Sequence, residues 1–205
     1  MKQMRKSVQR FQAFLREEDG LILAEGVMML PLIIWAMVAM FIYWDVFRTV
    51  NVTQKAAYSV ADLLSRQKDD IPVAFANGLQ NVVNFLTPGG HEVAIRITSF
   101  ECVSPTDLVC DSDSGSYRLL FSMSPQNKVP ALTQAGIQSW RGSRVPVMNA
   151  GESLYVVETE VQFQTQMKSV LAGFLVAVED RTYGQFVVTR PRHRRLCLVG
   201  TTTCT

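Results

Sequence analysis

The chain has 205 residues, and its 20 Lys and Arg stand against 18 Asp and Glu for a formal net charge of +2, which excludes the strong electrostatic footprint of a nucleic-acid-binding protein. Its only histidines are His91 and His193. With no nucleophile elbow, phosphate loop or paired-histidine zinc motif, the sequence points to no enzymatic reaction and to no cofactor.

Leu21 to Trp44 is one apolar run interrupted by a single charge, Glu25. At about 1.5 Å per residue the run makes a helix roughly 36 Å long, enough to cross a hydrocarbon core of about 30 Å. Glu25 lies about one turn inside the edge of that core, where a carboxylate still carries part of the roughly 2.5 to 3.5 kcal/mol that it costs at the centre. Its presence asks for a reason. Before the run stand Lys2, Arg5, Lys6, Arg10 and Arg16, and basic flanks stay on the cytoplasmic side. The apolar core is too long for an ordinary signal peptide and has no small-residue cleavage site after it. The segment is therefore either an uncut anchor or a leader cut ahead of the apolar run.

The stretch Arg16-Glu17-Glu18-Asp19-Gly20-Leu21-Ile22-Leu23-Ala24-Glu25 has a basic leader ending in Gly, then an apolar helix with Glu at its fifth position. In this it resembles the type IV pilin class. More narrowly, Phe14 to about Gln67 is similar to the TadE/TadG-like minor pilins of tight-adherence pili, with Pro31 in the apolar run and Gln54 to Asp62 as the Ala-rich helix that follows. The resemblance implies cleavage between Gly20 and Leu21 by a prepilin peptidase and assembly through Glu25. It also implies the bacterial inner membrane, other pilins and a Tad assembly platform as partners. The residues themselves agree with this: Gly20 offers a sterically open peptide bond just before the helix enters lipid. Cutting there frees the amine of Leu21, and Glu25 of a neighbouring subunit would offset the desolvation of both groups.

From Asp45 to Gln67 the apolar positions Val46, Phe47, Val50, Ala57, Val60, Ala61 and Leu64 recur at spacings of three and four. The pattern predicts an amphipathic continuation of the same helix, from Leu21 to Gln67 in all. Pro31 is expected to kink it without breaking it. Met28, Met29, Met37 and Met40 read as lipid contacts, and Trp35, Phe41, Tyr43 and Trp44 as an aromatic belt.

Asp69-Asp70-Ile71-Pro72 marks a break. About 135 residues follow Asp69, enough for one domain with its own core. A second amphipathic helix is expected with Ile71, Phe75, Leu79, Val82, Val83 and Leu86 on one side, ending at Thr87-Pro88-Gly89-Gly90. The period then changes to two. Glu92 to Thr98, Tyr117 to Met123, Leu154 to Gln162, Thr182 to Thr189 and Arg195 to Val199 are predicted strands. Ala131 to Trp140 is expected to hold a short helix and Asn149-Ala150-Gly151 a turn, while Met167 to Val176 has no readable period. The expected fold class is α+β, a long N-terminal transmembrane and amphipathic helix packed on a C-terminal antiparallel β-sheet domain, pilin-like in layout. Its expected divisions are a leader over 1–20, the long helix over 21–68 and an outer domain over 69–205.

Cys102, Cys110, Cys197 and Cys204 all fall on the side expected outside the cytoplasm, where an even count favours disulfides. Three connectivities are open. The local one, Cys102 with Cys110 and Cys197 with Cys204, is expected because it closes two short turn-rich loops, each bridge adding roughly 2 to 3 kcal/mol. A zinc site is the rival, but neither pair has the usual two-to-four-residue spacing. Asp107, Asp111 and Asp113 lack the Gly and terminal Glu of a calcium loop and read as a solvated loop tip. Arg190 to Arg195 is a basic cluster without an aromatic platform beyond Tyr183 and Phe186, so a polar strand end is expected there and no nucleic acid. Tyr183 to Arg192 also resembles the terminal strand and basic end of the Tad minor pilins.

Two functions follow from these features. One is a minor pilin or pseudopilin that supports initiation or assembly of a fibre through its N-terminal helix. The other is an uncleaved, singly anchored periplasmic binding module of a secretion or envelope complex.

Overall fold

The computed structural model describes residues 19–87, 91–104, 109–111, 114–163, 181–201 and 204, with the side chains of 19–23 left aside. The leader, the Met167 to Val176 stretch, Asp107, Asp113 and the Pro88-Gly89-Gly90 turn lie outside the described residues. The chain divides into two compact units. Among the described residues the first unit consists of 19–45, and the second contains the rest from Val46 onward.

Helix α1, Asp19–Ser65, is 47 residues long and runs through Pro31 without interruption. Proline removes one N–H, so the carbonyl of Val27 loses its usual donor. In the first unit the helix is apolar around its whole circumference: Val27, Met28, Leu32, Ile33 and Met40 are all exposed. Such a helix needs apolar surroundings. It is long and apolar enough to cross a membrane.

In the second unit α1 becomes one-sided. Ala56, Ala57, Val60, Ala61 and Leu64 are buried in a core with Val93, Ile95, Ile97, Tyr155, Val157 and Val161 of the sheet. Three alanines, Ala56, Ala57 and Ala61, let the helix backbone lie close to the sheet, close enough for the Tyr155 hydroxyl to donate to the Ala61 carbonyl at 2.5 Å. The last turn of α1 closes with Ser65 Oγ donating to the Asp62 carbonyl at 2.7 Å.

Helix α2, Val73–Leu86, follows Pro72, whose extended backbone starts it, and is stopped by Thr87, whose N–H returns to the Val83 carbonyl. Its buried residues are Ala76, Leu79, Gln80 and Val83. The expected apolar side needs correction here: Val82 and Leu86 are exposed, and Ile71 is buried ahead of the helix. The helix is turned so that Gln80 can serve the sheet. Its amide donates to the Val93 carbonyl at 2.8 Å and accepts from the Ile95 N–H at 3.1 Å. Those backbone groups of β1 (Glu92–Val103) lie beyond the residues paired with β3 (Ser116–Met123), so a side-chain amide takes the place of a strand.

The main sheet is antiparallel with order β3-β1-β5-β6, where β5 is Ser153–Phe163 and β6 is Arg181–Thr189. A two-residue pair, β2 (Val109–Cys110) with β4 (Met148–Asn149), stands apart from it. Alternation along β5 sends Tyr155, Val157 and Val161 to the α1 side, and Leu154 and Val156 to the other. In β3 the register passes from Ser99 opposite Phe121 to Phe100 opposite Leu119. Leu120 is the extra residue of a bulge, so Phe121 faces α1 while Tyr117 faces the opposite core.

That opposite core gathers Phe100, Tyr117, Ile137, Trp140, Met148 and Leu154 with Cys102 and Cys110. It is roofed by helix α3, Gln134–Gln138, whose N-cap Thr133 accepts from the Gly136 N–H at 3.2 Å. Half-buried strands would leave this face wet. Instead β1 is buried on both sides from Ile97 to Cys102. Arg195 to Val199 is not a strand of the sheet, which corrects the last predicted element. Leu198 makes one parallel bridge to Ile71, and the apolar alternation reflects Leu196 packing into the α1-side core.

Candidate functional site

Gly20 and Leu21 lie in the backbone of α1, and Glu25 follows Leu21 by four residues in the same helix. Four residues advance the helix by about 6 Å and turn it by about 40° beyond one full turn, so the two positions share a face. Glu25 is exposed and is the one acid between Leu21 and Trp44. A carboxylate here has no cation supplied by its own helix, whose next basic residue is Arg48. Among the described residues no ion pair is made by Glu25. Farther along, Met37, Met40, Phe41 and Trp44 are the described residues lining a cavity of about 280 Å³, and none of them is ionisable.

The cysteines are joined as Cys102–Cys110 and Cys197–Cys204, with Cα–Cα distances of 5.9 Å and 6.0 Å. Both distances fall in the ordinary range for a disulfide. Cys102 and Cys110 are fully buried in the core under α3. Gly115 is required beside them. Its φ is +73°, and a Cβ there would stand 2.6 Å from the Cys110 sulfur. No group of three or more His, Cys, Asp or Glu residues among the described residues could hold a metal ion.

The basic segment has a carboxylate for each of four arginines. Arg190 pairs with Glu152 at 2.7 Å, Arg192 with Asp62 at 3.0 Å, Arg194 with Asp70, and Arg195 with Glu101 at 3.3 Å. Its backbone is tied down too: the Arg192 N–H donates to Ser65, Ile71 to Cys197, and Val199 to Ile71. The segment is a strap across the end of α1 and the linker to α2. Sequence spacing showed the arginines, but their acids lie from 38 to 130 residues away in Glu152, Asp62, Asp70 and Glu101.

His91 is buried and stacked against Phe163 with ring centres 4.7 Å apart, while His193 is exposed on the strap. Two tyrosines are perturbed. Burial pushes the Tyr155 hydroxyl up to about 12, against the lowering effect of hydrogen bonds with Thr189 and Ser65. Burial likewise raises Tyr117, opposed by the Arg141 charge. Tyr155 belongs to the α1-side core and Tyr117 to the opposite one.

The residues singled out by sequence therefore fall into separate places: Gly20, Leu21 and Glu25 on the first-unit part of α1, and the two cysteine pairs within the second unit. What spacing could not reveal is the set of amides at Gln80, Gln134 and Gln138, whose partners are backbone groups of distant strands. Searches against family models, curated proteins and solved structures found no match to this chain.

Proposed function

We propose that the chain is a minor pilin or pseudopilin of a tight-adherence-type fibre. α1 anchors it in the bacterial inner membrane with its N-terminus cytoplasmic and the second unit periplasmic. A prepilin peptidase cuts between Gly20 and Leu21, and the mature chain joins other pilins on the Tad assembly platform. The observation that carries this function is the order of a basic leader, Gly20, and an apolar helix holding one acid four residues past Leu21. A lone carboxylate in lipid is costly, and the new amine of a neighbouring subunit is the counter-charge that this geometry calls for. The strap's four arginines are each matched by a carboxylate of the same chain, so this reading gives them a structural task.

Glu25→Gln tests the pairing. The amide is cheaper than the carboxylate in lipid, so insertion and cleavage proceed while surface fibres and detergent-resistant association are lost. Normal fibres with normal association would reject the role of Glu25. Intact mass of the membrane-extracted chain tests the cut: a mature chain starts at Leu21. A retained Met1 in cells with an active peptidase would favour the uncleaved, tethered binding module.

A further inference from the structure

The main sheet has two edges, and the chain seals one of them. On β3 the Tyr117 N–H donates to Gln138 and the Leu119 N–H to Gln134, while both side-chain amides donate to the Tyr117 carbonyl. The other edge is β6. It pairs with β5 in one unbroken register, from Tyr155 opposite Thr189 to Phe163 opposite Arg181. Among the described residues no hydrogen bond meets the outer side of its backbone.

Open edges are normally protected by a lysine, a proline, a bulge or a covering segment. From Thr182 to Thr189 there is no charge and no proline, and the register does not shift. The two faces beside this edge differ. Tyr183 and Val187 turn to the α1-side core, and Phe186 and Val188 to the opposite one. On that second face Trp140 meets the Phe186 ring edge-on at 5.0 Å, and the Arg144 guanidinium lies over it at 5.5 Å. Arg144 is exposed, and among the described residues it has no ion pair.

We infer that β6 takes up one strand of a different chain, antiparallel to itself, with acidic side chains on the Arg144 face and apolar ones on the α1 face. A row of unpaired N–H and C=O groups at strand spacing is matched along its length by another extended backbone, and a helix or a lipid presents no such row. Antiparallel pairing is the stronger per residue. Direction excludes a second copy. The Arg192 N–H, just past β6, donates to Ser65, and Tyr155, opposite Thr189, donates to Ala61. β6 thus ends beside the last turns of α1 and runs in the same sense. A two-fold pair of β6 strands is antiparallel, so it would set the two α1 helices end for end, and one membrane could not hold both anchors. Joining β6 head to tail with β3 of another copy is closed as well, because Gln134 and Gln138 hold the Tyr117 and Leu119 groups that such a pair needs. Charge sets the chemistry of the donor strand: beside Arg144 an acid is attracted and a base repelled.

One sealed edge and one open edge make the chain an end piece of any sheet extended in this way: it receives one strand and passes none on. The inference takes from the proposed function only the anchoring of α1, and it needs neither cleavage at Gly20 nor the pairing of Glu25.

The test uses the full chain in detergent micelles, so that its outcome is separate from fibre assembly. The probes are two peptides with blocked ends, Thr-Val-Asp-Val-Thr-Val-Asp-Val and the same sequence with Lys in place of Asp, and amide hydrogen exchange is read along the chain. The acidic peptide is expected to slow exchange in β6 and to leave β3 unchanged, and the lysine peptide to bind about tenfold more weakly or worse. Arg144→Glu is expected to reverse that preference, and because the side chain is exposed the thermal midpoint should hold. No slowing of β6 at up to about 1 mM peptide, slowing at β3, equal binding of the two peptides, or a preference that Arg144→Glu leaves unchanged would each overturn the inference. Protection of β6 that rises with protein concentration in the absence of peptide would assign the edge to a second copy and overturn it too.

Discussion

The Tyr155 hydroxyl joins sheet to helix through its 2.5 Å hydrogen bond to the Ala61 carbonyl. Burial pushes its pKa up to about 12 from the ordinary 10. Between those values the unfolded chain gives up this proton while the folded chain keeps it, so the contribution is whole below about pH 10 and is lost as pH climbs toward 12. About two pKa units correspond to roughly 2 to 3 kcal/mol. Tyr155→Phe keeps the ring and removes the donor, and is expected to lower stability by about 1 kcal/mol at neutral pH. It should also abolish this part of the alkaline loss. Urea unfolding of wild type and variant at pH 8 and pH 11 checks both effects.

Strand β3 is an edge of the sheet, and exposed edges invite pairing with other chains. Two glutamines of α3 cover it. Gln134 accepts from the Leu119 N–H at 2.8 Å and donates to the Tyr117 carbonyl at 2.5 Å, while Gln138 donates to the same carbonyl at 2.6 Å and accepts from the Tyr117 N–H at 3.3 Å. Gln134→Ala with Gln138→Ala leaves α3 its Ile137 anchor and strips both caps. Hydrogen exchange is expected to speed up at the amides of Tyr117 and Leu119 ahead of the rest of β3. Stability should fall by about 1 to 3 kcal/mol. Unchanged exchange at these two amides would show that α3 protects the edge by bulk alone.

At the scale of the whole molecule, two disulfides of similar loop length act in different settings. Sequence separations of 8 and 7 residues give each about 2 to 3 kcal/mol in the chain-entropy model. Cys102 and Cys110 are in addition part of a close-packed core, whereas Cys204 is only half-buried at the end of the strap. Replacing Cys102 and Cys110 together by serine puts two hydroxyls in that core and is expected to cost about 2 to 4 kcal/mol beyond the loop term. Replacing Cys197 and Cys204 should cost little more than the loop term and loosen the strap at Arg192 and Arg194. Thermal melts of the two double variants and wild type decide the order. A larger loss from the strap pair would reverse this assignment.

The amino-acid sequence by itself determined what depends on neighbours along the chain. Apolar length predicts the helix through Trp44, three-and-four spacing continues it to Gln67, two residues past its end at Ser65, and a period of two marks β1, β3, β5 and β6 to within a residue or a few. Those signals are local because backbone geometry repeats every 3.6 or 2 residues. Tertiary structure alone decided which apolar faces are covered. Val82 and Leu86 share a pattern with Val83 but are exposed, because α2 is turned to bring Gln80 to the edge of β1. Leu196 and Leu198 alternate like a strand, yet their segment is bound to Ile71 and Ser65 outside the sheet. The four arginines of the strap find their acids across the fold, and the bulge at Leu120 sends Tyr117 and Phe121 to opposite cores. Such pairings join residues far apart in sequence, where no period carries information and packing chooses the partner.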